Sequence, residues 1–460
     1  MKKILYFCLI IVIAATLMAC DSQPKTITFL TNRTDLKNTI LKDAQEQFAK
    51  YYADKGWNVR VETVTDYENI VSTRISGNNY GDVLLIPQTV EPKDLDKYFH
   101  DFGTVEEMKA AGWTGVNTKA FNGNVYGLPV GLQSSGIMIN LDVFNKAEVE
   151  PATLTTPALF LNAMLKIQSY GKKNIADWKA AFHTQTATGW GLAQWAGGIT
   201  TAAGDPDYLN YILPWDNDAF WNETNNTAGN IGKMYELLYD LIVNDVVESS
   251  PTIDEWEESK IWFAQGKIAA MSVGSWAIDQ FEKVAESIEV GRSDDVGYMP
   301  YPFEADDNKL YVSIASDYTI GIAKNTKAKE VAVAFAKWFV DEFNYANKTG
   351  NIPPKVGAKY PAKIEAFNDS GAILVEETPA TITLEGALSL AEKNAASSIT
   401  DEKRIALWDS VWILDYVATA FDVRDNKKST TSKELLQAIQ NKWNNGISAV
   451  IEQYGNKPNR

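Results

Sequence analysis

The stretch from residue 25 to residue 87 alternates two kinds of pattern, and that alternation limits the fold more than any other feature. KTITFLT (25–31) spaces its apolar residues by two, and WNVRVETVT (57–65) and DVLLIP (82–87) read as further strands. Between them, DLKNTILKDAQEQFAKYY (35–52) sets Leu36, Ile40, Ala44 and Phe48 on one helical face at a spacing of four. DYENIVSTRIS (66–76) reads as a second helix. Strands that alternate with helices predict α/β layers around a parallel sheet.

The rest of the chain is helix-rich. PALFLNAMLKIQSY, IGKMYELLYDLIVNDVV, DEWEESKIWFAQ, KEVAVAFAKWFVDEF, RIALWDSVWILDYVATAF and SKELLQAIQNKWNNGISAVIEQY all read as helices. Two strand-like runs, IAAMSV (268–273) and YTIGIA (318–323), stand among them. There is no internal repeat and no Pro- or Ser-rich linker. A chain of 460 residues is long enough for two to three domains, so two lobes woven from non-adjacent segments remain compatible with it.

The first twenty residues are a processing segment. Lys2 and Lys3 precede the apolar run ILYFCLIIVIAA, which is too short and wrongly flanked for a membrane span. LMAC (17–20) resembles a bacterial lipobox, which implies cleavage before Cys20 and lipid on Cys20. Cys8 leaves with the leader, so the mature chain keeps no free thiol and no disulfide. DSQPK (21–25) reads as a tether. The net charge of −16 opposes binding to nucleic acid or to anionic lipid.

Most catalytic signatures are missing. His100 and His183 are the only histidines, and each reads as a structural residue. No HExxH, GxGxxG after the first strand, GxxxxGK[ST] or GxSxG is present. A pair of carboxylates, as in glycosidases, needs no motif; DEWEESK (254–260) is a candidate, although it reads better as a solvated helix face.

What remains is aromatic. Seven of the fourteen Trp lie between Trp190 and Trp276, in TGWGLAQWAGG (188–198), LPWDNDAFWNET (213–224) and the helix and strand that follow. Trp on Gly-rich chain is poorly buried unless something covers the ring. Sugars have apolar C–H faces worth about 1 kcal/mol per stacked ring, and hydroxyl edges that amides and carboxylates can take. Packing between helices is the competing explanation for these rings.

Four stretches together resemble one family, the extracellular solute-binding proteins of sugar ABC importers, the group that includes maltose-binding protein. They are GDVLLIP (81–87), NVYGLPVGLQSSGIMINLDVF (124–144), FAQGKIAAMSVGSW (263–276) and GNIPPKVGA (350–358). The resemblance implies two α/β lobes with a hinge and an inter-lobe ligand cleft that closes over a bound sugar. It assigns residues 25–130 with 297–327 to lobe one and 131–296 with 328–460 to lobe two. It places Trp276 where the family stacks a ring on sugar, and Gln133 and the pair Asn32–Arg33 where polar contacts are common. Gln88 follows the third strand at the expected cleft edge, and Trp195 is a second candidate ring by local composition. Ile139-Asn140-Leu141-Asp142 departs from the family's usual sequence, and neutral Gln133 leaves the sugar unidentified. Trp408 and Trp412 are further candidates for the cleft or the core.

The expected protein binds a mono- or oligosaccharide and delivers it to an ABC permease. It acts as a lipid-anchored monomer facing the periplasm or exterior, with no catalysis, cofactor, metal or nucleic acid. A secreted carbohydrate-active enzyme, using for example Asp216, Asp218 or Glu223, a glycan-capture protein, and the same fold holding a non-sugar solute are the alternatives.

Overall fold

The structure is a computed structural model. It describes residues 25–376 and 414–454, apart from 186–190, 192, 193, 196, 207, 209–211, 251, 254, 290, 317 and 368–370, with the backbone alone for 214, 414 and 445–454. Cys20, Trp190, Trp408 and Trp412 lie outside the described residues. Strands of three or more residues and helices of nine or more are numbered in chain order.

The chain divides into two compact units. The first runs up to Ala111 and adds Lys119–Leu128 and Tyr318–Asn344. Its strands β1 (Thr26–Thr31), β2 (Asn58–Thr63) and β3 (Val83–Leu85) lie parallel in the order β2-β1-β3. The crossovers are α1 (Ile40–Tyr51) and α2 (Tyr67–Ser76). α1 begins later than its pattern, because Thr34–Leu36 forms a short 3-10 turn. Leu36, Ala44 and Phe48 are buried, and Phe48 meets Phe335 of α7 (Lys329–Val340) at 5.2 Å. Each such ring contributes about 1.5–3 kcal/mol by leaving water.

The sheet is mixed where the pattern predicts a parallel one. β10 (Thr319–Ala323) arrives from far downstream and pairs antiparallel with β3, so it needs no crossover helix. β4 (Gly127–Pro129) and the two-residue strand Phe99–His100 pair with β10 in turn.

The second unit comprises Gly112–Thr118, Pro129–Asp317 and the chain from Tyr345. Its centre is β5 (Leu132–Asn140). β7 (Ile268–Gly274) lies antiparallel along one edge of β5, and β6 (Ala180–His183) lies parallel beyond it. On the other edge β8 (Val296–Met299) takes Ile137–Asn140 and β9 (Leu310–Ser316) takes Leu132–Ser134, with β11 (Ala372–Glu376) parallel to β9.

The strict alternation of β5 feeds two cores. Ile137 and Ile139 join the core built by α3 (Pro157–Asn174), α4 (Asn230–Val243), α8 (Leu414–Arg424) and α9 (Ser432–Tyr454). Leu132 and Met138 join the core that includes Phe263 of α5 (Trp256–Ala264) and Phe281 of α6 (Ile278–Ser287). α3 starts where Thr156 Oγ1 accepts from the Leu159 N–H and Pro157 fills the first helical position.

The lobe boundaries differ from the expected ones. Residues 297–317 belong to the second unit, because β8 and β9 are hydrogen-bonded to β5. Residues 328–344 belong to the first, because Phe335 and Phe339 pack on Phe29 at 5.3 and 5.4 Å. Among the described residues no helix is long and apolar enough to cross a membrane.

Candidate ligand-binding surfaces

In the second unit, the Ile139–Ile137 side of β5 turns polar towards the strand's start, with Ser135 and then Gln133. Their neighbours in register are small: Gly274 beside Ser135 and Ala315 beside Gln133. Trp276 follows β7 on the short turn Ser275–Ala277 and is half-buried. Its ring folds back over Gly274. A Cβ at Gly274 would lie 2.6 Å from Trp276 Cδ1 and 3.1 Å from Gln133 Oε1. The backbone there is ordinary extended chain (φ −67°, ψ 155°), so the glycine supplies room. Trp256 lies behind at 5.8 Å, its plane tilted 46°.

Gln194 anchors this arrangement. Its Oε1 accepts from the Gly274 N–H at 2.8 Å and from Trp276 Nε1 at 3.3 Å. Its own carbonyl accepts from the Tyr301 hydroxyl, which lies 2.6 Å from Ser272 Oγ. Full burial pushes the Tyr301 hydroxyl well above its ordinary pKa, which keeps it a donor. Gly197 and Gly198 let the segment lie flat on the sheet: a Cβ at Gly197 would lie 2.2 Å from Ser135 Oγ, and one at Gly198 2.9 Å from the Tyr301 ring.

Trp195 corrects the expectation of a second stacking ring. It is 2% exposed, edge-on to Phe182 and Tyr301 at 5.7 and 5.4 Å, and its Nε1 donates to the Met234 carbonyl at 3.1 Å. Trp221 is buried too, and Trp215 and Trp262 are partly buried against the two cores. Packing accounts for most of the aromatic cluster.

Gln133 Oε1 is buried without a hydrogen-bond partner, and so is Asn351 Oδ1. Asn351 stands on the Gly350–Pro353 loop, which reciprocal backbone bonds between Leu132 and Ile352 (2.8 and 2.9 Å) pin to the start of β5. An acceptor left so costs about 1–3 kcal/mol unless a donor from outside the chain, a water or a ligand, reaches it.

In the first unit, the candidates lie past the carboxyl ends of β1 and β3, where ligands of open α/β sheets bind. Asn32 Oδ1 is a third buried acceptor without a partner. Arg33 gives its Nε and Nη2 to Asp35 at 2.9 and 2.7 Å. Gln88 is exposed. Its backbone N–H donates to Glu68 Oε2 at 2.8 Å, and Tyr318 donates to Glu68 Oε1 at 2.6 Å. Beneath the loop, buried Lys119 donates to the Val90 carbonyl at 3.2 Å. Glu68, Tyr318, Gln194 and Asn351 all escaped the sequence reading; only the loop motif at 350–358 pointed towards one of them.

The acidic candidates for hydrolysis are engaged in local structure. Asp216 accepts from the Tyr208 hydroxyl at 2.6 Å, Asp218 from Asn222 at 3.1 Å and Glu223 from Gln437 at 2.6 Å. His183 is buried, 3.0 Å from Gln185 Oε1 and 3.7 Å from Glu248. Among the described residues no group of three or more His, Cys, Asp or Glu is placed to hold a metal ion.

Comparison with known proteins gives the surfaces a context. Residues 46–370 match a family model described as bacterial extracellular solute-binding protein. Comparison with curated proteins finds no match. Among solved structures, BlMnBP1 from Bifidobacterium animalis subsp. lactis is a binding protein of an ABC transporter in complex with mannobiose. It superposes with a TM-score of 0.77 at 28% identity, over 93% of this chain and 96% of that one. BlMnBP2 from the same organism, a manno-oligosaccharide specific solute-binding protein with mannotriose, gives 0.76 and 28% over 94% and 96%. RafE in complex with raffinose, at 17% identity and a TM-score of 0.61 over 88% and 100%, shares the fold. The family and these neighbours are binding proteins. This chain belongs to the bacterial extracellular solute-binding proteins and has their two-lobe α/β fold.

Proposed function

We propose that the protein binds a neutral oligosaccharide and hands it to an ABC-type permease for import. The observation that carries this is the surface at Gly274, where the half-buried Trp276 ring stands beside the unpartnered acceptor Gln133 Oε1. A ring takes the apolar face of a sugar, and an orphaned acceptor calls for a hydroxyl donor. Carboxylate and phosphate ligands carry acceptors only, and they suit that oxygen poorly. The two relatives at 28% identity, with mannobiose and mannotriose bound, support a manno-oligosaccharide as the first ligand to try. Asn32 and Gln88 are the proposed polar contacts of the first unit. Cys20 is the proposed lipid anchor, so the protein works as a tethered monomer outside the cytoplasmic membrane and returns its sugar unchanged.

The test is thermal unfolding of the chain without its leader against mannobiose, mannotriose and raffinose. A ligand at 100 times its Kd adds about 2.7 kcal/mol, or roughly 2–4 °C per kcal/mol for lobes of this size. A shift with one sugar, recovered intact and reduced about tenfold in affinity by Trp276→Ala, is the expected result. A sugar recovered cleaved, or no shift with any sugar, would overturn the proposal.

A further inference from the structure

Gln194 contributes a side-chain NH2 with no acceptor among the described residues. Its amide oxygen receives two hydrogen bonds, from the Gly274 N–H and the Trp276 indole N–H. Both partners are donors with no acceptor capacity, so the oxygen must face them. The NH2 group therefore points away from the turn, and no group among the described residues accepts from it. Gln133 Oε1 and the Trp276 ring edge crowd the same glycine, at 3.1 and 2.6 Å from where its Cβ would stand. One small region thus presents a ring, an acceptor and a donor, all uncharged.

We propose that Gln194 is a specificity-determining residue of this site: its oxygen orients Trp276 while its NH2 donates to a ligand hydroxyl, the same kind of group that donates to Gln133. A hydroxyl gives and takes a hydrogen bond through a single atom. The pairing of Gln194 and Gln133 around Trp276 selects it against ammonium groups, which only give, and carboxylates, which only take. This rests on the sugar-binding reading above.

Gln194→Glu separates the two roles. A carboxylate still accepts from both N–H donors, so the ring stays oriented, but it offers the ligand no donor at neutral pH. The expected result is a melting temperature close to wild type and an affinity for mannotriose at least tenfold weaker at pH 7. The introduced carboxyl takes a proton only below the ordinary glutamate value of about 4.3, because its two N–H donors favour the ionised form; on acidification to that range it can donate again, so the variant regains affinity relative to wild type. Equal binding at pH 7, or a loss that does not change with pH, overturns the donor role. If the variant unfolds early, the same question goes to the wild-type protein with monodeoxy mannobioses, where one missing hydroxyl must cost at least tenfold and a uniform series overturns the inference. Wild type and Trp276→Ala run alongside: wild type that binds none of these sugars takes down the sugar reading and this inference with it. Wild type that binds, is weakened by Trp276→Ala and is indifferent to Gln194→Glu takes down this inference alone.

Discussion

The candidate surfaces of the two units are built in opposite ways. In the second unit, three segments distant in sequence converge on one glycine: Gln133 from β5, Gln194 from the segment before Gly197, and Trp276 after β7. All their contacts are uncharged. In the first unit the contacts are mostly charged: Arg33 pairs with Asp35 two residues on, and Glu68 holds the Gln88 backbone and, from far downstream, the Tyr318 hydroxyl. The difference predicts where the molecule tolerates change. A surface fixed by packing has no slack, because an added atom must displace a ring; a surface fixed by exposed ion pairs has water as a substitute partner.

The sharpest test of that contrast is Gly274→Ala. The backbone conformation suits alanine, so the methyl group acts only through its neighbours. It would stand 2.6 Å from the Trp276 ring and must push it away. Overpacking of this kind costs about 1–3 kcal/mol. Carried into binding, that is roughly a 5- to 150-fold loss of affinity for mannotriose, read by titration calorimetry. Alanine at this position with wild-type affinity would mean that the ring has room to move and that the second surface is not fixed by packing.

The same contrast explains what was legible in the sequence. Local pattern located β1, α1, β2, α2 and β3, because each is short and followed by its partner; β3 is read from a continuous apolar run and is buried throughout. It passed over β5, whose LQSSGIMIN opens on polar residues, and β9, whose LYVSIAS has small polar residues inside the core. Both depend on distant partners for their register. Trp276 and Gln133 came from a motif, but local composition chose Trp195 when the neighbouring Gln194 faces the site. Two glycines that looked like loop punctuation are there so that the segment can lie on the sheet, and this orientation turns Trp195 into the core. No pattern local to 188–198 encodes which of two adjacent residues points outward; Tyr301 and Met234 decide it.

Glu68→Gln probes the first surface and should do less. The introduced amide keeps one oxygen for the Gln88 N–H, and the Tyr318 hydroxyl can turn to accept from its NH2. One charge-assisted bond becomes a neutral one, a difference of about 1 kcal/mol, so affinity should fall roughly 3- to 10-fold. Calorimetry beside Gly274→Ala gives the ranking. A larger loss from Glu68→Gln than from Gly274→Ala would invert the comparison and move the dominant ligand contacts to the first unit.

Arg33→Ala should have the smallest effect, and its pH dependence separates pairing from ligand contact. Burial pushes the Asp35 carboxyl up, but the hydrogen bond and charge of Arg33 outweigh it and leave the group below its ordinary pKa. A carboxylate depressed in the folded state stabilises the fold above its unfolded pKa, near 4, and that contribution disappears as the pH falls through the folded value. The two side chains are 27% and 53% exposed, so the pair contributes at most about 1 kcal/mol. Arg33→Ala should therefore lower the melting temperature by no more than roughly 2–4 °C at pH 7, and the gap should narrow as Asp35 protonates below pH 4. Affinity for mannotriose should change less than about threefold, because Asp35 already holds the guanidinium by two of its nitrogens. A tenfold loss with an unchanged melting temperature would reverse that assignment: Asp35 would then aim Arg33 at the ligand, and the first surface would owe its selectivity to charge.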